Sequence, residues 1–124
     1  GDRAEEANSL LDGSLALERA GVIAIVLECV PERIARLVSE RLEIPTIGIG
    51  SGRGCDGQVL VSPDLLGLND FVFRYSKRYG DLSATITQAF SQFVEEVKGH
   101  RYPGKDHRYL IKADELRKFE DLIG

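Results

Sequence analysis

Six consecutive apolar residues, Val22-Ile-Ala-Ile-Val-Leu27, lie between Gly21 and Pro31 and constrain the fold more than any other stretch. Their β-branched content and short length mark a strand. The lack of polar alternation predicts a strand buried on both faces, as in a parallel sheet. Parallel strands need crossover connections, so helices must flank this one. Upstream, Ala7, Leu10, Leu11, Leu15 and Leu17 recur at helical spacing within residues 3–20, and Gly21 stops the helix. Downstream, Pro31 suits a first helical turn. Ile34, Ala35, Val38 and Leu42 then form an apolar stripe, with Glu32, Arg33, Arg36 and Glu40 on the wet side.

The same alternation continues along the chain. Residues 45–49 read as a second short strand, followed by the glycine-rich Gly50-Ser-Gly-Arg-Gly54, and residues 58–61 read as a third. Residues 63–79 read as loop and short helix. Asp81 is placed to cap a helix whose apolar face is Leu82, Ile86, Ala89, Phe90, Phe93 and Val97, and Gly99 ends it. Residues 100–108 are polar and turn-prone, and residues 113–123 spell a last short helix. Strands alternating with helices predict an α/β fold built from right-handed βαβ units. Three parallel strands with two open edges make a poor free-standing sheet. The chain is therefore expected either to pair its strand edges with another chain or to be part of a larger α/β domain.

Charge and composition narrow the partners. Sixteen Lys and Arg against twenty Asp and Glu give a net charge of −4, which argues against nucleic acid or an anionic membrane as the main partner. The longest apolar run falls far short of the ~18 residues that cross a bilayer. No charged segment followed by an apolar one opens the sequence, so no signal peptide is read. Cys29 and Cys55 are too few for a disulfide framework, and they favour a reducing, cytoplasmic setting.

Glu28 is the leading candidate for chemistry. It closes the apolar strand, and α/β folds place their active sites at the carboxyl ends of parallel strands. Partial burial there makes a carboxylate a usable general base; the competing reading is a solvated or salt-bridged strand end. Gly52-Arg-Gly54-Cys-Asp-Gly57 matches G-x-G-x-x-G but leads into a strand rather than a helix, so dinucleotide binding is rejected. Gly50 and Ser51 are instead read as part of a top-face loop whose backbone approaches a ligand closely. Cys29 is expected to be a small buried thiol. His100 and His107 lack metal-site spacing and are read as surface residues. The basic clusters Arg74, Lys77 and Arg78, and Lys98, Arg101, Lys105 and Arg108, are read as solvated faces, with an anionic ligand tail as the alternative.

Leu27-Glu-Cys-Val-Pro31, Ile44-Pro-Thr-Ile-Gly-Ile-Gly-Ser-Gly52 and Cys55-Asp-Gly-Gln-Val-Leu-Val61 together resemble the C-terminal half of the ketopantoate hydroxymethyltransferase family. The resemblance continues through Asp64-Leu-Leu-Gly67, Val94-Glu-Glu-Val97, Tyr102-Pro-Gly104 and His107, covering residues 3–107. It implies the C-terminal part of a TIM-type (β/α)8 barrel in a large homo-oligomer. It also implies an enzyme that uses Mg²⁺ and 5,10-methylenetetrahydrofolate to hydroxymethylate 3-methyl-2-oxobutanoate. By motif position Glu28 corresponds to the family's catalytic base, while the family's metal-binding aspartates and substrate lysine belong to the N-terminal half, so no metal ligand is expected in this chain. Neither Mg²⁺ nor the folate is expected to bind tightly to this chain alone. Residues 1–107 are expected to be the half-barrel and residues 108–124 a helical extension, with Leu116, Phe119 and Leu122 on one face to cover apolar surface. The expected partners are a small 2-oxo acid, a folate, and either the other half of the barrel or a second copy paired through strand edges. A chain of 124 residues without methionine is about half of a typical barrel, so Gly1 is expected to be an internal boundary of a larger protein. Two other readings stand beside this one: a catalytically silent half-barrel or assembly module, and a barrel of the phosphoenolpyruvate mutase and isocitrate lyase type.

Overall fold

Where the apolar run meets the second strand, backbone pairing begins and the rest of the scaffold follows. In the computed structural model, which describes residues 3–124, β1 (Ile25–Glu28) pairs in parallel with β2 (Thr46–Ile49). The register sets Ile25 opposite Thr46 and Glu28 opposite Ile49. β2 pairs in parallel with β3 (Gly57–Gln58), which gives a three-stranded sheet in the order β1-β2-β3. Helix α1 (Ala4–Arg19) precedes the sheet and α2 (Glu32–Arg41) makes the crossover between β1 and β2. The expected α/β class with parallel strands and flanking helices is what the chain adopts.

Both helices pack on the same face of the sheet. Ile25 and Leu27 from β1 meet Ala35 and Val38 from α2 in the apolar core, with Leu10 and Leu11 of α1 and Ile34 and Leu42 of the α2 stripe packed against it. The other face of β1 is not covered as the continuous apolar run had predicted. Leu27 is 2% exposed, but Val26 is 61% exposed and Ile23, just before the strand, 89% exposed. A crossover helix covers only the side on which it returns, and α1 lies on that same side, so period-2 alternation divides the strand into a covered and a bare row.

The third strand is also shorter than predicted. Pairing stops after Gln58, with one further bond from the Val59 N–H to the Gly48 carbonyl at 3.0 Å. Val59 and Val61 are exposed, and the chain enters α3 (Ser62–Leu66) before the apolar residues find a second layer. Pro31 stands one residue outside α2, at its N-cap, because its ψ of 132° is extended.

Polar ties secure the end of the sheet remote from Glu28. Glu18 of α1 accepts the N–H groups of Glu43 and Ile44 at 2.6 and 3.0 Å, which fixes the entry into β2. Thr46 is fully buried. Its N–H and hydroxyl donate to the Asp56 carboxylate at 2.8 and 3.1 Å, and its hydroxyl meets that of Ser39 on α2 at 2.6 Å.

The described residues divide into two compact units that part between Ser83 and Ala84. Most of α4 (Leu82–Lys98) lies in the second, which also contains a 3-10 turn (Lys105–His107) and α5 (Ala113–Ile123). After Gly99, the N–H groups of Arg101 and Tyr102 donate to the Glu96 carbonyl at 2.8 and 3.2 Å, ending α4 where the glycine predicted. Tyr102 lies against Phe93 and His107, with ring centroids 5.5 and 5.3 Å away. Residues 113–123 form the predicted last helix, with Phe119 and Leu122 exposed.

The bonds from Thr46 hold the Asp56 carboxyl below its ordinary value of 3.8. A depressed carboxylate contributes stability that is fully present above the unfolded value and is lost as pH falls through the folded one. Asp56→Ala is expected to lower the urea midpoint at neutral pH, with the gap to wild type shrinking from about pH 4 downward. Parallel unfolding curves across that range check it; a gap independent of pH would exclude the charged bond to Thr46 as its cause.

Candidate active site

Hydrogen bonds converge on the point where β1 stops. Glu28 is the last residue of β1. Cys29 follows in a left-handed conformation, φ 53°, and its N–H donates to the Ile49 carbonyl at 2.9 Å. Ser51, from the loop after β2, is fully buried inside this turn. Its hydroxyl donates to the Leu27 carbonyl at 2.7 Å and accepts the Val30 N–H at 3.1 Å. The backbone on both sides of Glu28 is thus held by the β2 loop. The carboxylate itself lies on the exposed row of β1, which it shares with Val26.

An open cleft of about 870 Å³ lies against these strand ends, lined among others by Cys29, Gly50, Arg53, Gln58, Arg74 and Tyr75. Gly50 has φ 65°, and a Cβ there would come within 2.9 Å of the Tyr75 ring. Only glycine combines that backbone with so close an approach. Partial desolvation, followed by the nearby Cys29, Asp64 and Glu28, pushes the Tyr75 hydroxyl above the usual tyrosine range.

The residues singled out from sequence have distinct places here. Glu28 and the Gly50–Ser51 loop come together at one strand end. Gly50 faces the cleft, whereas the Ser51 hydroxyl is committed to the Leu27 and Val30 backbone. The Gly52 to Gly57 segment runs into β3, not into a helix. Cys29 is exposed and lines the cleft rather than being buried, because the turn forced by its bond to Ile49 comes after the sheet has ended. His100 and His107 are exposed. Among the described residues no group of three or more His, Cys, Asp or Glu side chains comes together to hold a metal ion.

Sequence reasoning gave three residues at or beside the cleft no place in it. Arg74 belongs to a basic cluster read as a solvated face with an anionic ligand tail as the alternative, while Tyr75 and Asp64 fall in the stretch read only as loop and short helix, Asp64 as part of a family motif. The aromatic and cationic crowding of Phe71-Val-Phe-Arg-Tyr75 was the available signal.

A carboxylate at the carboxyl end of a parallel strand, beside a glycine-walled cleft, is the arrangement of an α/β enzyme. The family model for ketopantoate hydroxymethyltransferase matches residues 1–105, and the chain belongs to that family. Among curated relatives, a 3-methyl-2-oxobutanoate hydroxymethyltransferase of Enterococcus faecalis is 47% identical over 115 residues, covering 92% of this chain. One of Chloroflexus aggregans is 50% identical over 117 residues, covering 94%. A 3-methyl-2-oxobutanoate hydroxymethyltransferase 1 of Methylibium petroleiphilum is 44% identical over 124 residues, covering 99%. In each case the chain spans 42% of the relative's length.

Ser51→Ala removes one donor and one acceptor from a buried site and leaves the Val30 N–H without its partner. A loss of about 1–3 kcal/mol in unfolding free energy is expected, checked by urea denaturation. Wild-type stability in that variant would mean that the hydroxyl does not hold the strand end.

Proposed function

We propose that this chain is the base-bearing part of a 3-methyl-2-oxobutanoate hydroxymethyltransferase and that Glu28 is its general base. The observation that carries the reading is the position of Glu28, a carboxylate at the carboxyl end of a parallel strand, inside the segment that the family match covers. Glu28 takes the proton from C3 of 3-methyl-2-oxobutanoate, next to the keto group. The electron pair left on C3 spreads into that keto group and then attacks the methylene carbon carried by 5,10-methylenetetrahydrofolate. In the net reaction the new carbon–carbon bond replaces one of the methylene carbon's two bonds to folate nitrogen and a water oxygen replaces the other, while the two released nitrogens take up the proton drawn from C3 and one proton of that water. Gly50 leaves room for a reactant at the strand end, and Ser51 serves the site by fixing the peptide groups around Glu28.

In this reading the sheet belongs to a (β/α)8 barrel. The bare row of β1, with Val26 and Glu28, turns toward the barrel interior, and the outer edge of β1 pairs with the rest of the enzyme. Residues 1–107 are the barrel portion and residues 108–124 an appended helical segment. The assembled enzyme is a homo-oligomer working in the cytoplasm. In this reading Mg²⁺ is held by residues of the rest of the enzyme, and no step above runs through it. A silent assembly module is the second reading, favoured by the open edges of β1 and β3.

Glu28→Gln in the assembled enzyme is expected to cut turnover by about 10²–10⁴-fold with the Michaelis constants little changed. Steady-state kinetics check this; near wild-type turnover would remove Glu28 as the base.

A further inference from the structure

The cleft is large for the smaller of the two proposed reactants. A volume of about 870 Å³ suits a drug-sized ligand, and a five-carbon oxo acid fills only a fraction of that. Its walls have a mixed character. Gly50 and Gly52 expose backbone, Tyr75 adds an aromatic surface, and Arg53 and Arg74 bring guanidinium groups from two different loops. Glu32 is the acidic group on the lining; it pairs with Arg36 at 3.9 Å and accepts the Arg53 N–H at 3.4 Å. Backbone and aromatic surface suit a planar ring, and guanidinium forks suit carboxylates.

The wall carrying Tyr75 is held from inside. Asp64 on α3 is 4% exposed, and its carboxylate accepts the Asn69 side-chain amide and, at 3.5 Å, the Ser76 hydroxyl. The Arg78 guanidinium donates to the Asn69 carbonyl, and the Tyr79 and Gly80 N–H groups donate to the Leu65 carbonyl at 2.8 and 3.3 Å. Residues 69–79 therefore form a loop whose ends close on α3. Within it Phe73 stacks on Tyr75, centroids 5.3 Å apart and planes 9° apart, and Tyr75 packs on Gly50. A buried side-chain oxygen must keep its hydrogen-bond donors, so these bonds fix where the loop sits.

We infer that this cleft is the subsite of the larger reactant, a planar ring compound bearing carboxylates, and that Asp64 is the positioning residue that holds Tyr75 in its wall. The inference rests on the proposed reaction, which supplies two reactants of unequal size; the folate donor is the one with a ring and a carboxylate tail. Asp64 acts only through Tyr75 and Arg74.

Steady-state kinetics of the assembled enzyme, with each reactant varied in turn, test the assignment. Tyr75→Ala is expected to raise the Michaelis constant for 5,10-methylenetetrahydrofolate about tenfold or more and that for the oxo acid by less than about twofold. Tyr75→Phe keeps the ring and restores most of the loss. Asp64→Asn, which loses an acceptor, reproduces the same one-sided change, and the double variant is no worse than Tyr75→Ala. Equal rises for both reactants, or losses that multiply in the double variant, would overturn it. Ser76→Ala removes only one bond of the tie and carries the same test if Asp64→Asn does not fold. Calorimetric binding of tetrahydrofolate gives a readout that needs no turnover. A weakened Kd in Tyr75→Ala supports the subsite even where Glu28→Gln stays active, and an unchanged Kd overturns it even where Glu28 proves to be the base.

Discussion

One hydroxyl group joins the two strands at the end where chemistry is proposed. Ser51 leaves the loop after β2, enters the turn after β1, and bonds to the carbonyl before Glu28 and the N–H two residues after it. With the Cys29 N–H bonded to Ile49, this ties the end of β1 to β2 and its loop. The glycines on either side of Ser51 then follow as geometric necessities. Gly50 must pass under the Tyr75 ring, and Gly52 packs on the Glu32 side chain in a left-handed conformation. The cleft is thus a by-product of how the β2 loop reaches back to β1.

Such ties matter because the apolar core is small. Among the described residues the buried apolar side chains are Ile25, Leu27, Ala35 and Val38. Buried Ser51, Thr46 and Asp64 each satisfy their polar atoms with specific partners, at the upper strand end, the lower strand end and the α3 loop respectively. A buried polar group is tolerated only with its partner in place, so each acts as a registration point as well as a source of stability. The Glu28 end of the sheet, its opposite end and the loop beside the cleft are each tied by one of them.

Most elements were legible because they rest on local pattern. The spacing of Leu10 and Leu11, of Ile34 and Val38, and of Phe90, Phe93 and Val97 reads directly as helix, and Gly21 and Gly99 read as stops. The short β-branched runs read as parallel strands. Three features were not legible. The bare face of β1 depends on which side the helices take, the early end of β3 on where β2 stops offering partners, and the exposure of Cys29 on a bond to Ile49 twenty residues away. Each is a fact of pairing between distant segments, which composition and periodicity do not encode.

The candidate site divides along the same line. The sequence alone determined that an apolar strand ends in a carboxylate, that a glycine-rich loop follows the next strand, and that their motifs belong together in one family, because these properties travel with adjacent residues. Only the tertiary structure decided that the Ser51 hydroxyl faces the backbone rather than the cleft, and that Tyr75 and Arg74 line that cleft from a loop bonded to Asp64 through Ser76. The reason is physical: a side chain's role is set by what lies within hydrogen-bonding or van der Waals reach, and for these residues that reach crosses 21 to 25 positions of chain, from Val30 to Ser51 and from Gly50 to Tyr75.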